Sequence, residues 1–197
     1  MVPSSSKVIA RALDNMIDAG AGLCHMSGFS LGGHAVGHVA RNMRNRVRHL
    51  VALDPAGPLF YKPVKCVSPI SDNDADCVEV LHTDRGKFGA PVKTGTVDYW
   101  MNGGIRLQPG CFSITCSHTR ALFYWIESLQ NPSSFVSRQC SSWLSFLLNF
   151  CSGNNVAIIG QCNKNTIPGN YFLRTKRRRP FGIGPSGSSP AFIIPRV

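Results

Sequence analysis

Between residues 7 and 19 the apolar side chains Val8, Ile9, Ala12, Leu13, Met16 and Ile17 recur at helical steps, which predicts an amphipathic helix ended by Gly20. Leu23 to Phe29 is short and mostly apolar, and it runs directly into a glycine-rich turn. Ala35, Val36, Val39, Ala40 and Met43 then share one helical face, with Arg41, Arg44, Arg46 and Arg48 at the far end, where cations favour a helix C-terminus. Strand, sharp turn and helix follow one another within this stretch. Val47 to Leu53 predicts a strand stopped by Asp-Pro-Ala-Gly-Pro, and Val78 to His82 and Thr96 to Trp100 predict two more. His118 to Leu129 predicts a helix carrying Ala121, Leu122, Tyr124, Trp125, Ile126 and Leu129, broken at Pro132. Strands alternating with helices predict an α/β architecture with a mostly parallel sheet.

With 197 residues and 43% hydrophobic content, the chain has the size and composition of one globular domain. Its longest apolar stretches, such as Phe146 to Leu148 and Val156 to Ile159, fall far short of the roughly 18–20 residues that a membrane-spanning helix needs. The charge is +11, from 21 Lys and Arg against 10 Asp and Glu. Six of those cations, and no acid, lie from Asn170 onward, which leaves 15 − 10 = +5 for residues 1–169. The composition therefore divides the chain into a domain over 1–175 and a basic Pro/Gly/Ser-rich tail over 176–197. The run Lys176-Arg177-Arg178-Arg179 suits an anionic surface, lipid or polyanion. Nucleic acid is not the expected partner.

Eight cysteines refine the compartment. Cys66 and Cys77, Cys111 and Cys116, and Cys140, Cys151 and Cys162 group in Gly-, Ser- and Asn-rich segments, which reads as disulfides formed in an oxidising environment. No C-x-x-C occurs and the spacings match no common zinc module. Cys24 reads as a buried thiol. The N-terminal residues lack the apolar region of a signal peptide, so a secreted-looking body without a secretory start predicts that the front of the protein is missing.

Gly28-Phe29-Ser30-Leu31-Gly32 is a G-x-S-x-G between a strand-like and a helix-like segment. Such a turn exposes the serine hydroxyl, and its glycines let strand and helix pack without a Cβ clash. The backbone N–H of Leu31 then faces the position of a developing oxyanion. A serine nucleophile needs a base, and the base an orienting carboxylate, in the chain order Ser, Asp, His. Asp54 closes the next strand 24 residues on, at the sheet edge where catalytic groups collect. Asp84 and Asp98 are rivals of lower rank. His118 opens a helix late enough to follow the acid, and His82, at a strand end, stays open on spacing alone. His34 and His38 sit four apart on one helix face, but no acidic third ligand accompanies them, so no metal is expected.

Together with Leu53-Asp54-Pro55-Ala56-Gly57-Pro58, His82-Thr83, Thr96 to Gly104, Gln108-Pro109-Gly110-Cys111 and Cys116 to Ala121, the serine motif Gly28 to His34 resembles the pancreatic lipase family. The likeness is strongest to its arthropod secreted lipases and venom-type phospholipases A1, and it runs from about residue 7 to Leu173. The resemblance implies an α/β-hydrolase fold and secretion. It also implies Ser30 as nucleophile, Asp54 as acid and His118, rather than His82, as base, with no cofactor. The substrate it implies is a lipid ester, phospholipid or acylglycerol, met at an interface. It pairs Cys140 with Cys151 and Cys66 with Cys77, leaving Cys162 without a partner.

In that family the first sheet strands and a His-Gly-aromatic loop precede the serine; neither is found here, and losing one oxyanion donor costs about 10²–10³ in rate. The family's lid lies between two cysteines before the catalytic histidine. Here Cys111 and Cys116 enclose only Phe112, Ser113, Ile114 and Thr115, too few for a covering helix. A short lid goes with an open site and with phospholipase A1 or broad esterase activity. Some relatives bind calcium after the acid, where Asp72, Asp74 and Asp76 read as a solvated cluster. The alternative is a weak or inactive lipid- or polyanion-binding relative, because yolk-type members have lost the serine.

Overall fold

The computed structural model describes residues 2–22, 25–61, 67–113 and 115–190. In chain order it contains α1 (Val2–Asp18), β1 (His25–Phe29), α2 (Leu31–Asn42), β2 (His49–Leu53), β3 (Cys77–His82), β4 (Val97–Met101), α3 (Cys116–Gln130), β5 (Val136–Gln139), α4 (Trp143–Leu147), β6 (Val156–Ile158) and β7 (Gly169–Leu173). The strands form one seven-stranded sheet in the order β1-β2-β3-β4-β7-β5-β6. The first four strands and β7 run parallel; β5 runs antiparallel to both β6 and β7.

Parallel strands covered on both faces must be apolar on both sides, and β2 is: Leu50 and Ala52 join Ala40 of α2 in one cluster, while Val51 and Leu53 join Tyr124 and Trp125 of α3 in another. The same alternation continues along β4, where Tyr99 and Met101 face α3 and Trp100 packs with Phe146 and Phe172 on the opposite side. The sheet thus lies between α2 on one face and α3 on the other. This is the α/β, mostly parallel arrangement expected from the strand–helix alternation, and it is consistent with the α/β-hydrolase fold that the resemblance implies. At the front, α1 begins at Val2, ahead of the predicted start at residue 7, because Ser4, Ser5 and Ser6 carry no apolar period. It stops where Gly20 takes φ 93°.

Three expectations change. Cys77 is bonded not to Cys66 but to Cys162, 85 residues on, with Cα atoms 6.0 Å apart. The loop carrying Cys162 is drawn to the start of β3 by Glu79, a buried carboxylate that accepts from Gly160 N at 2.9 Å and Cys162 N at 3.0 Å. Cys66 and Cys24 lie outside the described residues. Second, Arg41, Arg44 and Arg46 pair with acids rather than merely facing a helix end: Arg41 with Asp74 at 2.6 Å, Arg44 with Asp18 at 2.7 Å and Arg46 with Asp76 at 3.1 Å. Asp74 is therefore buried and bonded, not solvated. Third, residues 176–190 do not trail away as a tail. Glu127 of α3 accepts from Phe181 N at 2.9 Å and Gly182 N at 2.7 Å, and Phe181 is buried against Tyr124 and Arg120. Residues 176–182 form a strap beside α3, and Gly184 to Ser188 pack against β5. No helix among the described residues is long and apolar enough to cross a membrane.

Candidate active site

Ser30 stands where β1 turns into α2, with φ 54° and ψ −119°. A side-chain-bearing residue pays of order 1–3 kcal/mol for that region, so the surroundings must impose it. They do so through the backbone: Ser30 N donates to Leu53 O at 3.0 Å, and Ser30 O accepts from Gly33 N at 3.0 Å and Ala56 N at 3.2 Å. The glycines divide the packing unequally. A Cβ on Gly28 would strike the carbonyl of Gly32 and lie 2.9 Å from Gly33 N, whereas one on Gly32 would meet nothing within 4 Å. Gly33 carries the second close approach, with a Cβ there 3.1 Å from Pro55 and 3.3 Å from Ala52. The no-clash reason expected for Gly32 thus belongs to its neighbour. Leu31 is the first residue of α2, and its N–H is among the leading amides that lack an intrahelical acceptor.

Asp54 directly follows β2, beside Ser30, because the register pairs Phe29 with Leu53. It too has positive φ, 41°, and is fully buried. Its Oδ1 accepts from the backbone of Thr83 at 2.8 Å and Asp84 at 3.1 Å, and its Oδ2 lies 2.6 Å from His118 Nδ1. A carboxylate only accepts, so Nδ1 holds the proton and Nε2 keeps a free lone pair. Phe29 and Phe88 contact the imidazole, with ring centroids 4.6 and 5.6 Å away. Behind it, Gln108 N donates to Ser117 Oγ at 3.0 Å, fixing the first turn of α3 that carries His118. No hydrogen bond links Ser30 Oγ to His118, and such bonds often tighten only when substrate binds.

The rival groups are placed elsewhere. Asp84 serves Asp54 through its backbone, and its buried carboxyl oxygens have no hydrogen-bond partner among the described residues. Burial, and next the charge of Asp54, raise its pKa. His82 and Asp98 form a second pair at 2.7 Å, both fully buried, with His82 stacked on Trp100 at 3.7 Å. Asp98 is further occupied by Thr94 N and Gly95 N, each at 2.9 Å. Spacing alone does not separate this pair from that of Asp54 and His118; only the latter adjoins the serine turn. His34 and His38 hold loops: His34 Nε2 donates to Ala56 O at 2.7 Å and its Nδ1 accepts from Ile70 N at 3.1 Å, and His38 Nε2 donates to Ser68 O at 2.8 Å. Burial above all lowers the His34 pKa to about 4. Among the described residues no group of three acidic, histidine or cysteine side chains is arranged to hold a metal ion.

Cys111 and Cys116 are joined, as are Cys140 and Cys151. Phe112 projects from the short loop with 80% of its surface exposed, so it plugs no gap; Ile114 lies outside the described residues. Sequence reasoning missed Gly89 and Phe88, which lie against the dyad without any motif of their own, and named Gln108 only within a motif, without the hold on Ser117 that it provides.

Residues 6–181 match the family model described as Lipase. Similar proteins include Lipase member H-B of Xenopus laevis, 35% identical over 74% of this chain and 33% of its own length. Phospholipase A1 member A of Rattus norvegicus is 33% identical over 73% of this chain and 33% of its own. Pancreatic triacylglycerol lipase of Cavia porcellus is 30% identical, with coverages of 71% and 35%. The chain spans about a third of the length of these curated relatives.

Proposed function

The chain belongs to the lipase family, and on that premise we propose that it is the serine-hydrolase part of a secreted enzyme that cleaves carboxylic esters of lipids through Ser30, His118 and Asp54. The observation that carries the proposal is the 2.6 Å contact of His118 Nδ1 with a buried Asp54, at the strand ends beside a strained Ser30. His118 Nε2 takes the hydroxyl proton as Ser30 Oγ attacks the acyl carbonyl, and Asp54 remains ionised and steadies the imidazolium. The oxyanion meets the Leu31 N–H and the positive end of α2. Imidazolium then protonates the departing alkoxide. Water, deprotonated by the same nitrogen, attacks the acyl carbonyl, and the imidazolium returns that proton to the departing Ser30 Oγ as the fatty acid is released.

The short disulfide-closed loop supports a finer reading, phospholipase A1 specificity. The segment closed by Cys111 and Cys116 holds only four residues, too few for a helix that could roof a cleft, so access needs no lid opening at an oil surface. The test is hydrolysis by the intact protein of phosphatidylcholine carrying distinct acyl chains, run beside a triglyceride emulsion. Release of the sn-1 fatty acid is expected; hydrolysis of triglyceride alone overturns the finer reading, and no ester turnover overturns the enzyme.

A further inference from the structure

The strap and the short loop are in contact. The guanidinium of Arg177 lies over the ring of Phe112 at 5.3 Å, and the close approach of Gly110 to the backbone of Arg177 leaves no room for a Cβ. Next along the strap, Arg179 lies over Phe123 of α3 at 5.1 Å. Lys176, Arg177, Arg178 and Arg179 are all exposed, as are Phe112 and Phe123. Elsewhere, exposed aromatic rings lose the benefit of burial, and a run of four like charges is normally left mobile in water. Here both are fixed: Lys176 N donates to Phe181 O at 2.7 Å, Phe181 and Gly182 are bound by Glu127, and Thr175 N donates to Asn102 Oδ1 at 3.0 Å. A fixed row of cations interleaved with outward-facing rings is amphipathic in a particular way. It offers charge to headgroups and apolar surface to the acyl boundary beneath them.

We propose that Lys176–Arg179 with Phe112 and Phe123 form a docking surface for an anionic phospholipid bilayer, set beside the short loop that precedes His118. A soluble polyanion would match the cations but leave both rings in water, which is why a bilayer is the occupant. The surface rests on the lipid-hydrolase reading for its use and on its own charge and geometry for its binding. Cation–ring contacts add rigidity, since each guanidinium is held over an aromatic face and keeps its donors free for phosphate.

The experiment is flotation of the intact protein, as the Ser30→Ala variant so that no lipid is consumed, with vesicles of phosphatidylcholine alone or mixed with phosphatidylglycerol. Tight binding is expected only to the mixed vesicles, weakening steeply with salt. Arg177→Gln/Arg178→Gln/Arg179→Gln lowers the partition by about 100-fold, at roughly fivefold per cation, while the Arg-to-Lys triple variant retains it. Phe112→Ala/Phe123→Ala reduces binding without changing its salt slope. Unchanged melting curves confirm that each variant folds. Equal binding to both vesicle types, a triple Gln variant that floats like its parent, or a triple Gln variant that loses heparin retention but keeps vesicle binding overturns the proposal. Because flotation needs no turnover, its failure is distinct from a failure of ester hydrolysis.

Discussion

The carboxylate of Asp54 occupies the space that a side chain at residue 89 would need: a Cβ on Gly89 would lie 2.7 Å from Cγ and Oδ2 of Asp54, and closer still to Oδ1. Two backbone N–H groups and His118 hold that carboxylate, so it yields only by losing hydrogen bonds. Gly89→Ala is therefore expected to displace the acid and tilt the imidazole. A misplacement of this size costs about 10² in kcat. Steady-state kinetics on a soluble ester check it, with KM expected to change far less than kcat.

The two His–Asp pairs, one reached by solvent at His118 and one wholly buried, make opposite predictions. Asp54→Asn keeps the shape but cannot hold the tautomer that frees Nε2, and kcat falls by about 10⁴. Asp98→Asn disturbs His82, Thr94 and Gly95 instead. It costs about 1–3 kcal/mol of stability and leaves kcat of the folded protein near that of the parent. Denaturant unfolding and kinetics on both variants separate the roles.

The glycines of the serine turn differ in the same testable way. Gly28→Ala drives a methyl group into the backbone of Gly32 and is expected to lose more than about 3 kcal/mol or fail to fold. Gly32→Ala meets open space in the first turn of α2 and is expected to be neutral or to gain about 0.5–1 kcal/mol. Melting temperatures of the two variants decide it.

His34 predicts a pH dependence of stability. Buried against Phe60, with both ring nitrogens committed, it titrates at about 4 instead of 6.5. The unfolded chain takes up its proton first as pH falls, so the contribution is whole above the unfolded pKa and is lost progressively down to the folded one. The total is about 3 kcal/mol, and it loosens the link between α2 and the loop after Asp54. Unfolding measured from about pH 7 to about pH 4 should show this slope, flattened in His34→Gln.

The strand, serine turn and helix around Ser30 and the element ends that carry Asp54, His82 and His118 are legible because each is encoded locally, while the preference for His118 over His82 rests on the family resemblance alone. What escaped depends on distant partners. The resemblance pairs Cys77 with Cys66, whereas the sheet and Glu79 bring up Cys162. The β5–β6 hairpin was invisible because Val136-Ser137-Arg138-Gln139 alternates too weakly to stand out from a loop. Composition predicts a tail where the strap lies, because it counts the arginines but not the grip of Glu127 on Phe181 and Gly182. His82 and His118 both follow plausible elements, and spacing is blind to which carboxylate each one meets.

Covalent labelling tests the central claim most directly. The intact protein is treated with a fluorophosphonate lipid analogue, and the labelled peptide is located by mass spectrometry. One adduct is expected, on Ser30, formed rapidly in the parent, slowly in Asp54→Asn and absent in Ser30→Ala. An adduct that persists in Ser30→Ala, or a folded parent that takes up none, contradicts the assignment of Ser30 as the nucleophile.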